Sequence, residues 1–240
     1  MHVAKLDIQF VFPDNLSAME EDSNRLRVNP KSAERIIKSD RTRAVILNAA
    51  LEFVWSRPFR EMSISSLMAT TDISRSAFYQ YFEDIHQLMK ELLDMLSEDI
   101  FTAASPWISG VGDPVGLIHE SLGGLVEVCY RRGPFLRAIS DAATTDERFE
   151  KDWSEFLCAF DGAACAIIEA DQQQGLIASF EPRPVAFALN RLDAYTMIEA
   201  FGSHPRDEPE PIREALVRIW VSTLYGSEWV EKGSSNLLRK

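Results

Sequence analysis

Between positions 75 and 80, Arg75, Ser76, Tyr79 and Gln80 offer a guanidinium, a hydroxyl, a phenol and an amide. At about 100° per residue they share a helical face roughly 140° wide. Phe78 and Phe82, four residues apart, fall together on another face. The chemistry available to the polar face is recognition rather than bond making. A guanidinium fork matches two acceptors on guanine, an amide matches adenine, and hydroxyls donate to phosphate oxygens. The flanking residues supply the scaffold. Ser63 and Ser74 each stand where a helix N-cap would accept an orphan backbone N–H. Ile64, Leu67 and Met68 recur at helical spacing after Ser63, and Thr70-Thr71-Asp72 breaks the run with turn-forming residues. Two short helices and a polar turn describe a helix-turn-helix whose second helix can enter a major groove. A plain helical hairpin with a polar surface fits the same pattern.

The segment Ser74-Arg-Ser-Ala-Phe-Tyr-Gln-Tyr-Phe82, preceded by Ser63-Ile-Ser-Ser-Leu67, resembles the DNA-binding segment of the TetR family of bacterial regulators. On this reading Ser63 and Ser74 set helix N-termini against phosphates. Tyr79 and Tyr81 donate to phosphate oxygens. Arg75 reaches guanine, and Gln80 reaches adenine or a neighbour. Ser76 and Ala77 let the backbone approach, with the Ala77 methyl near a thymine methyl. Two positions depart from the family. Its turn glycine is Asp72 here, for which left-handed geometry is costly. Its lysine at the start of the next helix is Ile85, leaving His86 to take over a phosphate contact.

The bulk properties fit this without specifying it. Of 240 residues, 46% are hydrophobic, enough for a packed core. The net charge of −12 argues against a nucleic-acid partner until its distribution is considered. Residues 31 to 90 carry nine Lys/Arg against seven Asp/Glu, whereas residues 91 to 240 hold −12. Cys129, Cys158 and Cys165 have no disulfide or metal spacing and read as free thiols in a reducing cytoplasm. No apolar run approaches the roughly 20 residues of a membrane span, and no secretion signal is evident at the N-terminus. Hence the expected location is cytoplasmic. Catalytic fingerprints are absent: no nucleophile elbow, phosphate loop or dinucleotide motif occurs. His2, His86, His119 and His204 are scattered, so neither an enzyme, a metal site nor a cofactor is expected.

Read in order, residues 1 to 38 look like a flexible extension ending in a basic stretch of Lys31, Arg35, Lys38, Arg41 and Arg43. That stretch suits either a solvated linker or an arm lying along phosphates. A helix is expected from about 39 to 56, completing a three-helix head over residues 39 to 86. Its core should form around Phe53, Leu67, Ile73, Phe78 and Phe82. Further helices are expected at about 85–102, 115–131, 135–143, 146–174, 184–201 and 211–225, with Pro106 and Gly133-Pro134 as breaks. Periodicity is helical throughout, so the chain is all-α: a small head joined to a larger helical body over residues 87 to 240.

The body is aromatic on faces expected to point inward, with Trp153, Phe156, Phe160, Phe187, Tyr195 and Trp220. Small residues, Gly123-Gly124 and Gly162-Ala163-Ala164, interrupt these stripes. Asn190 and Asp193 add polar groups on a helix expected to be largely buried. Large residues alternating with small ones can leave an apolar cavity with a few orienting polar groups, although an ordinary helical core reads the same way. Trp153-Ser-x-Phe156, Glu169-Ala-Asp with Gly175, Ala188-Leu-Asn190 and Ile219-Trp-Val-x-x-Leu-Tyr-Gly226 resemble the mycobacterial ethionamide-resistance branch of the family. The resemblance implies a ligand tunnel lined by Ile118, Leu125, Trp153, Leu157, Phe160, Asn190 and Trp220. Asp193 stands where the branch has a lining asparagine. It also implies a homodimer built from the last two helices, matching a palindromic operator on double-stranded DNA. The expected function is a dimeric DNA-binding regulator, most often a repressor, modulated by a small apolar ligand. The alternative is a DNA-binding regulator whose body serves only dimerisation or protein contacts.

Overall fold

The computed structural model describes residues 30–109 and 112–226, and among these every regular element is a helix. The order is α1 (Pro30–Ser56), a 3₁₀ turn (Phe59–Glu61), α2 (Ile64–Met68), α3 (Arg75–Phe78), α4 (Ile85–Ser109), α5 (Pro114–Ala143), α6 (Glu147–Gln173), α7 (Pro182–Phe201) and α8 (Pro209–Leu224). The expected extension over residues 1 to 29 lies outside the described residues. Residues 30 to 38 continue α1 backwards as helix rather than linker. Pro30 occupies the first helical position, where its missing N–H costs nothing, and Ala33, Glu34, Arg35 and Lys38 are good helix formers.

The head closes around Phe53, Leu67, Phe78 and Phe82, all buried, with Ile73 partly buried at its edge. The Phe78 and Phe82 ring centroids lie 5.6 Å apart. Asp72 does not adopt left-handed geometry, since no described residue other than glycine has a positive φ. Threonines close the turn instead: the Thr70 hydroxyl donates to Leu67 O at 2.7 Å, and Thr71 Oγ1 accepts the Ile73 N–H at 3.1 Å. Arg43, expected on a basic arm, instead reaches across to pair with Glu91 of α4 and lies over the Phe82 ring.

Both prolines expected to end helices lie inside them. A proline removes one donor from the ladder and frees the carbonyl four residues earlier. For Pro134 that carbonyl is Tyr130 O, and Arg206 Nη1 donates to it at 2.6 Å. The same guanidinium lies over the Tyr130 ring at 4.0 Å and the Trp55 ring at 4.8 Å, tying α5 to the head. Around Pro106 the repair comes from Ser121: its Oγ accepts the Trp107 N–H at 2.9 Å and donates to Ala104 O at 3.2 Å. Arg206 of the α7–α8 loop and Ser121 of α5 thus support the backbone around each internal proline. Gly133 sits tightly against α7, where an added Cβ would come within 2.2 Å of Phe201 O.

In the body, α4 to α8 pack around one apolar core. Gly124 does not open a cavity; it lets α5 approach Ala103 of α4, where a Cβ would meet the Ala103 methyl at 3.1 Å. Gly162 faces open space, and Gly123 lies near Arg213. Phe187 and Tyr195, expected inward, are each 52% exposed on α7.

Candidate functional site

The head presents its polar face outward from a short, locally braced helix. Ser63 Oγ accepts the Ser66 N–H at 3.1 Å, and Ser66 Oγ accepts the Ser63 N–H at 2.9 Å, a reciprocal cap on α2. Ser66 is a residue that the motif reading missed. Ser74 Oγ accepts the Ala77 N–H at 3.2 Å and lies 3.0 Å from Ser76 Oγ, so α3 is set by hydroxyls at its own start. Arg75, Ser76, Tyr79 and Gln80 are exposed, while Ala77 and Tyr81 are half-buried. Tyr79 is held upright by an edge-on contact with the Phe78 ring at 5.7 Å. Arg75 has no ion-pair partner among the described residues.

His86 is not on this face. Its Nε2 lies 2.8 Å from Asp152 Oδ2, and its ring meets Phe149 edge-on at 4.8 Å, both residues on α6. Beside it Arg148 donates to Asp84 at 2.6 Å. Against the cost of partial burial, the Gln87 N–H and Arg148 hold the Asp84 carboxyl below its ordinary range. The start of α4 thus rests on the start of α6, and His86 belongs to that joint rather than to a phosphate contact.

Within the body, α4, α5, α6, α7 and α8 line a predominantly apolar cavity of about 100 Å³. Seven residues singled out from sequence line it together: Ile118, Leu125, Leu157, Phe160, Asn190, Asp193 and Trp220. Trp153 does not. It is buried behind the wall, stacked on Phe156 with centroids 5.3 Å apart. Phe156 is the lining residue instead. Reading Pro106 as a helix end also concealed Trp107 and Ile108 as lining residues. Ser121, which enables α4 to pass that proline, lines the cavity too.

Two indoles meet edge-on at the wall, Trp107 and Trp220, with ring centroids 5.2 Å apart. Each is oriented by a hydrogen bond, as a buried indole N–H requires. Trp107 Nε1 donates to Tyr225 Oη at 3.4 Å, and Tyr225 donates to Asp171 at 2.5 Å. Burial and that acceptor raise the Tyr225 phenol above its ordinary range. Trp220 Nε1 lies 3.0 Å from each oxygen of Asp193. Burial pushes the Asp193 carboxyl up to about 8, with the Trp220 bond acting in the other direction. Cys129, also on the wall, is driven up by burial and then by the nearby Asp193, so it stays a thiol. Asn190 Nδ2 donates to Asp161 Oδ1 at 3.0 Å, an oxygen that Arg191 also engages at 3.0 Å. No cluster of three or more His, Cys, Asp or Glu suited to a metal occurs among the described residues. None of their helices is long and apolar enough to cross a membrane.

The chain is similar to known regulators over most of its length. The model of the transcriptional regulator EthR C-terminal domain matches residues 118–226. The HTH-type transcriptional regulator EthR of Mycolicibacterium smegmatis is 25% identical over 191 residues, covering 78% of this chain and 88% of that one. Among solved structures, a protein of Syntrophomonas wolfei titled as a TetR-family transcriptional regulator superposes with a TM-score of 0.66. It is 17% identical, with 76% of this chain and 94% of the other covered. AibR, solved with isovaleryl coenzyme A and operator DNA, gives a TM-score of 0.60 at 16% identity, covering 77% of this chain and 98% of its own.

Proposed function

We propose that the chain is a TetR-family transcriptional regulator of EthR type, acting as a homodimeric repressor released from its operator by a small, largely apolar ligand. The observation that carries this reading is the course of α4. It begins three residues after Phe82 of the head core, and Ile100, Ala104 and Trp107 further along it line the cavity. Ile85 and Ile100 are about 22 Å apart along a helix rising 1.5 Å per residue. A ligand that shifts α4 therefore acts on the reading head through one continuous element.

In this mechanism Arg75 and Gln80 read base edges, Ser76 and Ala77 allow close approach, and Tyr79 and Tyr81 fix register on phosphates beside the caps Ser63 and Ser74. The exposed guanidinium of Arg75, without an ion-pair partner among the described residues, supports an anionic or acceptor-rich partner. Dimerisation through α7 and α8 would place two heads on half-sites about 34–36 Å apart. The exposed Phe187 and Tyr195 on α7 support that surface, since large aromatics facing solvent suit a two-fold interface. The ligand, held among Ile118, Leu125, Leu157, Phe160, Asn190, Asp193 and Trp220, acts only to the extent that it prefers the DNA-incompetent arrangement. AibR, of the same fold, was solved with both an acyl coenzyme A and operator DNA.

The test is selection of genomic fragments by the purified full-length chain, followed by sedimentation of the complex. Recovery of a palindrome bound by two chains is the expected result. Enrichment of no common sequence would overturn the assignment.

A further inference from the structure

Most of the N–H and hydroxyl donors on the cavity wall are already engaged. Among the donors on its wall, Trp220 Nε1 is engaged by Asp193 and Trp107 Nε1 by Tyr225. The Trp107 backbone N–H goes to Ser121, and the Ser121 hydroxyl goes to Ala104 O. Asn190 turns its amide nitrogen toward Asp161. The remaining capacity lies with Asn190 Oδ1 and the Asp193 carboxyl, which carries one proton while neutral and becomes acceptor-only once ionised; the two residues are three apart and so on one face of α7. Around them the lining is aliphatic and aromatic.

We propose that the cavity binds a lipophilic primary amine, its chain among the apolar walls and its ammonium against Asp193 and Asn190. The inference rests on the ligand-pocket reading above and specifies its chemistry. An ammonium has three donors and no acceptor, which complements a site that has acceptors left over. A carbonyl ligand would use the Asp193 proton but bring no donor for Asn190 Oδ1. An alcohol brings one donor and no charge.

Charge sharpens the argument. Asp193 is 5% exposed, and the one titratable neighbour on the cavity wall that it acts on, Cys129, is itself held as a neutral thiol. With its carboxyl at about 8, Asp193 holds its proton at neutral pH while the cavity is empty. An alkylammonium ordinarily titrates near 10, as lysine does, and arrives charged. Binding then converts the carboxyl to a carboxylate beside the ammonium, and the displaced proton leaves to solvent. At pH 7 this releases about 0.9 proton per site, the protonated fraction of a group at about 8.

Calorimetric titration of the full-length protein at pH 7 with n-octylamine, octan-1-ol, octanoate and methyl octanoate, in phosphate and in Tris, tests this. Octylamine is expected to bind at least tenfold tighter than each of the others, with a buffer-dependent enthalpy reporting release of nearly one proton. Asp193→Asn should bring octylamine down to the level of octan-1-ol. Should that variant fail to fold, the wild-type ranking and proton release decide. Methyl octanoate matching octylamine, or amine binding without proton release, overturns the inference and leaves the pocket reading standing. Binding by none of the four overturns the pocket reading itself.

Discussion

In the head, Arg75, Ser76, Tyr79 and Gln80 stand exposed on a four-residue helix and the turn that follows it, and the hydroxyls that brace the helix lie at its own start. In the body, Asp193 and Asn190 are oriented by Trp220 and Asp161, 27 and 29 residues away in the chain. The head exposes its chemistry and organises it locally, whereas the body buries its chemistry and organises it across helices. This contrast has an energetic consequence. Changing an exposed reader should alter binding with little effect on folding, because surface substitutions away from caps and cores cost little. Changing a buried polar or close-packed residue in the body should alter stability first.

The sharpest separation is expected from Asp193→Asn as a function of pH. The folded carboxyl titrates at about 8, above its unfolded value near 3.8. Its stabilising contribution is therefore complete below about pH 4 and is lost as pH rises toward 8. Relative to wild type, the asparagine variant should gain about 1.4 kcal/mol of unfolding free energy per pH unit across that window, then level off. Urea denaturation of both proteins at a series of pH values measures it. A difference that does not change with pH would mean that the carboxyl is not held neutral.

Next in size is Gly133→Ala. The added methyl would meet Phe201 O, a backbone atom that cannot swing aside, so a loss of about 3 kcal/mol or more is expected. The midpoint of urea unfolding should fall while any chain that folds still binds DNA. On the head side, Arg75→Ala should lose about 1–3 kcal/mol of DNA affinity concentrated at one base pair, with an unchanged melting temperature. Tyr79→Phe should weaken all sequences alike. Competition between a selected site and its single-base variants separates the two, and wild-type behaviour by both would remove α3 as the reader. The smallest effect belongs to Ser74→Ala, which deletes the α3 cap and should cost about 1 kcal/mol of stability. That is the one head substitution expected to be felt in folding.

The same contrast explains what was legible in the sequence. The helix-turn-helix could be read because its caps, its turn and its Phe78–Phe82 pair all lie within twenty residues. What failed there involved partners from elsewhere: Arg43 leaves the basic stretch for Glu91, and His86 turns to Asp152. In the body, Pro106 and Pro134 carry ordinary helix-stop signals. Their repair by Ser121 and Arg206 depends on residues brought together only by the fold. The cavity lining was partly legible because large apolar residues recur on helical faces. Whether a buried aromatic forms the wall or stands behind it, as Trp153 stands behind Phe156, depends on packing rather than periodicity. Phe187 and Tyr195 show the same limit from the other side, since an apolar face can serve an interface as readily as a core.

The central claim is that the exposed head answers to the buried cavity. Its most direct test is the affinity of the full-length protein for its selected DNA fragment, measured by fluorescence anisotropy with the cavity empty and then saturated by the tightest of the four probes. Occupancy should be established independently by calorimetry. At least tenfold weaker DNA binding at saturation is the predicted result. Unchanged affinity with the cavity fully occupied would contradict the claim.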